Sequence, residues 1–355
     1  MNAVHVTRSQ GRRDRRRGDI DRRWLISLVV ILVAELAFFN ASISDFWSAG
    51  GGASGWLGSL TFTYTSIIAL GVMFVIFTGD IDLSVGAMAS FSGIVMAEFH
   101  LAGMNIWLAV VLALLICVAI GLLQGLIITF FKLESLLVTL AGQFILGASS
   151  VAYEGATPPY GFPHGFVTTL GTGTVVGIPN QVVIFAVLAI ASVLIVHRTR
   201  FGRQLVLVGH NRDAAGYAGV RVSLTRVRAF MLSALFAGIA GIIIGATYNA
   251  VRDDLGTPLL LPAITAVVLG GVDIFGGRGR VLGVIIATFI LGLLTIGLLD
   301  DGVGDNATSM ATGVLLLGAL TVKGAMDRRV GLPPFADRLR GRFASTTTPG
   351  VPNTP

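Results

Sequence analysis

Two carboxylates and a serine stand in a short polar stretch, residues 78–86, between two long apolar runs. An ionisable side chain inside a membrane is costly to bury, so it is by default a candidate for handling a solute or an ion. Irregular backbone at membrane depth is tolerated where it lines a cavity or is buried in protein. We therefore predict a broken helix here, with Gly79 and Gly86 as helix-break glycines and Asp80, Asp82 and Ser84 lining the solute path.

A local structural role is the alternative for the last two of these side chains. Asp or Ser at a helix N-cap accepts hydrogen bonds from backbone N–H groups that have no partner within the helix, and an acid there favours the helix dipole. The next apolar run starts directly after Ser84, so Asp82 or Ser84 could cap that helix. Capping does not exclude lining the path, and both roles stay open.

A second glycine-rich break lies between two later apolar runs. Gly270, Gly271 and Asp273 partly repeat the Gly-x-Asp pattern of the first break. Two interrupted spans are a common sign of a central translocation site, so we add these residues to the break and path candidates. Gln143 and Asn249 join the path candidates because they are neutral hydrogen-bonding side chains inside apolar runs, suited to a polyhydroxylated solute.

The elements that must hold these side chains follow from composition. Of 355 residues, 54% are hydrophobic and only 12% charged, with a mean hydropathy of +0.82, which excludes a water-soluble enzyme. A membrane-spanning helix needs about 20 apolar residues. The sequence predicts an all-α polytopic membrane protein of about ten transmembrane helices, with broken helices near the centre. The predicted spans are 24–40, 60–78, 83–99, 106–130, 134–152, 181–197, 229–250, 260–275, 281–299 and 309–323.

Small residues at a spacing of four predict where the helices approach closely. The pairs Gly121 with Gly125 and Gly241 with Gly245 fit the small-x-x-x-small pattern of helix contacts in membranes. Packing within one bundle is the preferred interpretation, because internal helix contacts outnumber external ones. A dimer interface is the alternative.

Basic residues orient the chain in the membrane. Lys and Arg concentrate on the cytoplasmic side, and ten spans with an inside N-terminus place every basic segment inside. The predicted organisation is a basic cytoplasmic tail over 1–23, a transmembrane domain over 24–323 with a cytoplasmic segment at 198–228, and a partly disordered cytoplasmic tail over 324–355. The loops 41–59, 153–180 and 251–259 then face outward. The net charge of +6 lies in loops and tails, so we predict contact with membrane lipid and no binding to nucleic acid.

The segment 198–228 carries its own pattern. Asp213 to Gly219 reads as a short helix with an acid in its first turn and a glycine at its end. Such a helix could offer a rigid ridge to a soluble partner, or the segment could lie on the membrane as an amphipathic interfacial helix. The residues alone leave both interpretations open.

Four stretches in the same order resemble the permease subunits of ribose/xylose/arabinose-type ABC importers. They are Gly79 to Gly86, Gly202 to Val220, Ala237 to Gly241, and Ala263 to Gly271, and the resemblance runs from about Trp24 to Lys323. The chain departs from the family's pattern at Asp80, where many members have a second glycine, and at Leu260, where a glutamate is common.

The resemblance implies a function and partners. The chain is expected to be a permease in the cell inner membrane that imports a monosaccharide by alternating access, as a homodimer or as a heterodimer with a related permease. A separate ABC ATPase subunit, which binds ATP and Mg, and an exported sugar-binding protein are the expected partners. No Gly-x-x-x-x-Gly-Lys-[Ser/Thr] phosphate loop occurs in the sequence, so we expect this chain to be no enzyme and to bind no cofactor or metal. The residues expected to couple to the ATPase are Arg203, Asn211, Asp213, Ala214, Ala215 and Gly219.

Other functions remain as alternatives. An ion-coupled secondary transporter would use Asp80 and Asp82 as its proton or sodium site. An ABC permease for a nucleoside or an autoinducer-like furanose is the alternative within the same class. An intramembrane enzyme is disfavoured, because the histidines are scattered and no catalytic spacing occurs within the spans.

Overall fold

The computed structural model describes residues 2–42, 60–300, 310, 313–319 and 321–322. Nearly all of the described chain is helical, as predicted. The helices are α1 Asn2–Ser42, α2 Leu60–Phe77, α3 Val85–Leu101, α4 Ile106–Phe130, α5 Ser135–Glu154, α6 Asn180–Arg198, α7 Arg200–His210, α8 Arg212–Tyr217, α9 Val222–Tyr248, α10 Leu260–Leu269 and α11 Val281–Asp300. Short helical turns lie at His164–Phe166, Val167–Thr172 and Thr257–Leu259, and a two-stranded antiparallel hairpin pairs β1 Thr174–Val175 with β2 Ile178–Pro179.

The helices coincide with the predicted apolar runs. Five of the described helices are long and apolar enough to cross a membrane: 22–42 within α1, α4, α5, α6 and α9. Shorter apolar helices lie at Phe62–Phe77, Val85–Leu101, Thr257–Leu269 and Val281–Ile296, and residues 313–319 of the last predicted run are helical. The predicted all-α polytopic fold is confirmed.

Two helices form the centre of the bundle. Helix α2 is buried along almost its whole length from Phe62 to Phe77, and α9 packs against α2, α3 and α4. A helix that is apolar on all sides is buried, and this one is surrounded by other helices. Helices α1, α4, α5 and α6 instead expose large apolar side chains such as Val30, Leu115, Ile145 and Ile190, as expected of helices that face lipid.

The predicted small-residue contacts lie within the bundle. A Cβ atom on Gly121 would lie 2.7 Å from the Phe230 carbonyl oxygen, and one on Gly125 would lie 2.8 Å from Val227 Cα, so both glycines let α4 approach α9. Gly241 faces Ala89 of α3 just as closely. In lipid the hydrophobic effect does not drive helices together, so close van der Waals packing of this kind stabilises their contacts.

Two predicted boundaries are wrong, and a third helix is longer than its span. Helix α1 extends back to Asn2, whereas its apolar span at 22–42 agrees with the predicted 24–40; residues 1–23 contain no proline and only two glycines to interrupt the helix. Helix α9 starts at Val222 rather than at 229, because the charge of Arg226 is paired inside the protein. Helix α10 ends at Leu269 rather than at 275, because Gly271 has a φ of +88°.

The loop over 251–259 packs along α3. Val251 is 2% exposed and lies against Gly93, and the Gly256 N–H donates to the Ser90 hydroxyl at 2.9 Å. The backbone of Gly256 also lies against Gly86 near the start of α3. Val251, Gly256 and Leu259 are thus buried against the bundle, whereas Arg252, Asp254, Thr257 and Pro258 are exposed.

Candidate functional site

The break between α2 and α3, residues 78–84, is hereafter called the first break. Gly79 has a φ of +73°, a conformation that glycine adopts at no steric cost, and this turn ends the path of α2. The prediction for Gly86 needs correction: it is helical, as the second residue of α3. A Cβ on Gly86 would lie 2.9 Å from the Gly256 carbonyl oxygen, so its small size serves close packing.

Asp80 is the most heavily bonded side chain of the first break. The Arg226 Nε donates to Asp80 Oδ2 at 2.8 Å and the Arg226 Nη2 donates to Oδ1 at 2.8 Å, which makes a bidentate pair. The Arg212 Nη2 donates to Oδ1 at 2.8 Å, and the Thr78 hydroxyl lies 2.9 Å from Oδ2. Asp80 is only 2% exposed, so burial and two arginines together hold it in one place.

This geometry gives Asp80 a structural role in this conformation, and its role in the solute path stays a prediction. Its two oxygens already accept hydrogen bonds from Thr78, Arg212 and Arg226, and its charge is balanced by two guanidinium groups. Each oxygen therefore has two donors of the protein in this conformation. Asp80 joins three parts of the protein.

Asp82 and Ser84 form a second buried cluster. Asp82 Oδ1 accepts hydrogen bonds from the Ser84 N–H at 3.0 Å and the Ser84 hydroxyl at 2.7 Å, and Oδ2 accepts one from the Ser233 hydroxyl of α9 at 2.8 Å. Ser84 occupies the N-cap position of α3, but its side chain makes no capping hydrogen bond. Asp82 therefore fixes the turn just before α3 and ties that turn to α9.

Further hydrogen bonds tie the first break to α4 and α5. The Ile81 N–H donates to the Ser135 hydroxyl at 3.1 Å, and the Thr139 hydroxyl lies 3.3 Å from the Ile81 carbonyl oxygen. Gln124 of α4 lies 3.2 Å from the Ser84 hydroxyl and is 5% exposed. The backbone and side chains of the first break thus contact α4, α5 and α9.

The second break, residues 270–280, meets the first. Gly270 ends α10, Gly271 turns the chain, and the Trp24 indole N–H donates to the Leu269 carbonyl at 2.9 Å. Asp273 Oδ1 accepts from the Phe275 N–H at 3.1 Å, which folds the loop on itself. The Gly277 N–H then donates to the Phe77 carbonyl at 2.9 Å, at the end of α2.

A third segment completes this junction. Gly209, near the end of α7, lies so close to the Phe77 carbonyl and the Gly277 nitrogen that a Cβ atom would overlap both. A Cβ atom on Gly276 would lie 2.5 Å from the Gly79 nitrogen. The two breaks and α7 therefore meet backbone to backbone through glycines.

We predict that Gly209→Ala loosens this junction. In an exposed helix the change would be favourable, by about 1 kcal/mol, but here both neighbouring atoms are backbone and cannot rotate away. Overpacking of this kind costs roughly 1–3 kcal/mol, so the purified variant should melt at a lower temperature than the parent. Gly147→Ala in α5, where a Cβ meets nothing within 4 Å, is the matched control and should not lower the melting temperature.

The basic segment, residues 198–228, contains α7, α8 and the start of α9. The predicted short helix is present as α8, with Asp213 in its first turn. The Asn211 side chain caps it by accepting from the Ala214 N–H at 2.9 Å, and Gly219 follows it with a φ of +81°.

The faces of α7 and α8 are distinct. Helix α7 buries Leu205 and Val208 and exposes Arg203. In α8, Ala215 is 3% exposed, whereas the side chains on the other face are exposed. The exposed side chains of α8 and its flanks are Asn211, Asp213, Ala214 and Tyr217, with Gly219 beside them.

Two other path candidates lie apart from this junction. Asn249 ends α9 in a left-handed conformation with a φ of +51°, and its Oδ1 accepts from the Phe162 N–H at 2.8 Å. It orders the 160–162 loop. Gln143 is partly buried in the middle of α5.

Sequence reasoning missed the partners of the acids. Arg212, Arg226 and Ser233 were not among the candidates, although they complete the two buried clusters of Asp80 and Asp82. One available signal was the position of Arg226, which lies directly before the apolar run of α9. A long-range pairing between residues 146 positions apart has no local sequence signature.

Comparison with known proteins identifies the family. The family model described as "Branched-chain amino acid transport system / permease component" matches residues 57–322 of this chain. The chain belongs to this family. It is a multi-pass membrane permease of the ABC importer class, and the resemblance to monosaccharide-type permeases drawn from the sequence is confirmed.

Individual relatives support this assignment. This permease is 33% identical to the "Autoinducer 2 import system permease protein LsrD" of Enterobacter sp. (strain 638), over 83% of this chain and 90% of that protein. It is 29% identical to the protein of the same name from Yersinia pseudotuberculosis serotype O:1b (strain IP 31758), over 91% and 97%. Among solved structures, "PsaBC from Streptococcus pneumoniae in complex with Fab" is similar at a TM-score of 0.43 and 16% identity, covering 83% of this chain and 95% of that one.

Proposed function

We propose that this permease carries a small polyhydroxylated solute of the monosaccharide class, similar to ribose, xylose or arabinose, into the cell. It acts in the inner membrane with both termini in the cytoplasm, as a homodimer or paired with a related permease. A separate ABC ATPase subunit binds ATP and Mg and supplies the energy, and an exported binding protein delivers the solute. The chain itself catalyses no reaction.

The observation that supports this proposal most is the exposed face of α8. This helix is capped by Asn211, ended by Gly219, and held by Ala215 against the bundle, while Asp213 and Tyr217 face outward. It is therefore a rigid projection on the most basic internal segment of the chain. The concentration of Arg in 198–228 favours a cytoplasmic position, where an ATPase would meet it.

Energy transfer through such a projection requires contacts that differ between nucleotide states. A partner can shift a conformational equilibrium only by its differential affinity for the two states. We propose that ATP binding draws the two ATPase subunits together and moves α8 with them. The bundle then alternates between outward and inward access.

A second solute is favoured by the names of the relatives. Both LsrD proteins are named as autoinducer 2 import permeases, and they cover most of this chain. An autoinducer-like furanose would need the same kind of hydrogen-bonding path as a pentose. We therefore keep it as the alternative substrate within the same transport mechanism.

Reconstitution of the complete transporter tests the proposal. The permease is placed in liposomes with its ATPase and binding protein, and uptake of labelled ribose, xylose, arabinose and autoinducer 2 is measured with ATP on the α8 side. Uptake of one of these solutes that needs ATP and fails with a hydrolysis-defective ATPase is the expected result. Uptake driven by a proton or sodium gradient without ATP would refute the proposed mechanism.

A further inference from the structure

We propose that Arg212 and Asp80 form a latch through which movement of α8 reaches the first break, so that Arg212 is a positioning residue for energy coupling. This inference rests on the proposed function and assigns the transmitting contact inside the bundle. It concerns a buried ion cluster that joins α8, α9 and the first break.

The two arginines of this cluster differ in their surroundings. The Arg226 side chain is 10% exposed and holds both oxygens of Asp80 from the long helix α9. The Arg212 side chain is 36% exposed and binds Oδ1 of Asp80. Arg212 is the first residue of the six-residue helix α8. Arg226 therefore supplies the counter-charge that keeps Asp80 ionised and in place, whereas Arg212 adds a second connection from a small element.

Arg212 contacts the backbone of the first break as well as the Asp80 carboxylate. The same Nη2 atom that donates to Asp80 lies 3.4 Å from the Thr78 carbonyl oxygen and 3.5 Å from the Gly79 carbonyl oxygen. The guanidinium thus covers the turn at which α2 ends. Asp213, the next residue along the chain, faces outward on α8. One short helix therefore presents adjacent residues to the outside and to the buried turn.

The first break passes any displacement onward to several helices. Ile81 is bonded to α5 through Ser135, and Asp82 is bonded to α9 through Ser233. Residue 85 begins α3, which packs against α5 and α9. A pull on Asp80 consequently acts on the N-terminus of α3 and on both of its neighbours, since packed interfaces shift as units rather than deform continuously.

A charge-matched pair of variants tests the latch in the complete transporter. Arg212→Gln removes the connection but leaves Asp80 its bidentate partner Arg226, so the protein should fold and still bind the ATPase. Arg228→Gln is the control: this side chain is exposed and makes no ion pair within the described residues. Loss of one charge-assisted contact should reduce ATP-driven uptake about tenfold in Arg212→Gln, while Arg228→Gln transports like the parent.

A second readout follows the first break directly. Cys117, the only cysteine, is buried, so a Leu83→Cys substitution gives one labelled site at a partly exposed position. In the parent, nucleotide binding to the ATPase should change the rate of maleimide labelling at position 83. In Arg212→Gln this change should be lost although the ATPase still associates, and Arg212→Lys, which keeps the charge, should restore part of it.

The outcomes separate the latch from the proposed function. If the parent transports and its labelling responds to nucleotide, but Arg212→Gln behaves identically, the latch is wrong and the proposed function stands. If the parent itself neither binds an ATPase nor responds to nucleotide, the proposed function fails and the latch fails with it. Reduced uptake in both glutamine variants to the same degree would also contradict the latch, because a general loss of positive charge would explain it.

Discussion

Arg226→Gln is expected to leave little folded protein in the membrane. The substitution removes both hydrogen bonds of the bidentate pair and leaves Asp80, which is 2% exposed, with only Arg212 and Thr78. Removing one partner of a buried ion pair costs about 3–5 kcal/mol, a large fraction of the stability of most folded proteins. The measurement is the yield of monodisperse protein after detergent extraction, together with its melting temperature.

Two further variants test whether an unpaired buried charge causes the loss of folded protein in Arg226→Gln. Arg228→Gln changes the net charge equally on the exposed side of the same helix and should keep the parent's yield and melting temperature. The double variant Asp80→Asn with Arg226→Gln removes both buried charges of the pair and should recover much of the lost stability. Equal yields from Arg226→Gln and Arg228→Gln would contradict the buried clamp.

Gly219→Val is expected to reduce ATP-driven transport strongly while the bundle stays folded. Gly219 has a φ of +81°, a conformation that a β-branched residue rarely adopts. The left-handed conformation costs a residue with a Cβ about 1–2 kcal/mol, or roughly 5- to 30-fold in the population of the native turn. The substitution therefore destabilises the end of α8 and should lower the stimulation of the ATPase by solute-loaded binding protein by a similar factor.

The same substitution three residues earlier is the matched control. Gly216 lies inside α8, a Cβ there meets nothing within 4 Å, and no positive φ is required. Gly216→Val should therefore retain the fold of α8 and most of the stimulation. If both variants stimulate the ATPase normally, the rigid end of α8 has no part in coupling. If both lose stimulation equally, contact at the exposed surface rather than backbone conformation decides the effect.

Much of the architecture was predictable from the sequence, because it depends on local patterns. Apolar runs of helical length located the helices, and Asp213 with Gly219 predicted the short helix α8. The close glycine contacts between α4 and α9 followed from a spacing of four residues. Each of these features is determined by residues that are close to one another in the sequence.

The chemistry of the acids was not predictable in the same way. Asp80 and Asp82 stand two residues apart with the same apolar flanks, yet one binds two arginines and the other binds hydroxyl groups. The difference arises from residues more than 130 positions later, which only the packing of α8 and α9 brings near. The first break itself contains no Lys or Arg, so the positive charge beside Asp80 comes from Arg212 and Arg226.

The end of α10 illustrates a further limit. Hydropathy alone extends the helix to 275, because Val272, Ile274 and Phe275 are apolar. In the structure the helix ends at Leu269, and the Trp24 indole N–H of α1 donates a hydrogen bond to the Leu269 carbonyl oxygen. Such a cap depends on a residue 245 positions away and leaves no trace in the local pattern.

We propose that α8 lies in the cytoplasm and is the contact through which a separate ATPase moves this bundle. Labelling of Asp213→Cys with a membrane-impermeant maleimide tests it most directly, because the buried Cys117 contributes little background. We predict labelling in inside-out vesicles, protection when the ATPase is bound, and none in intact spheroplasts. Labelling of position 213 in intact spheroplasts would place α8 on the outer face and contradict the account.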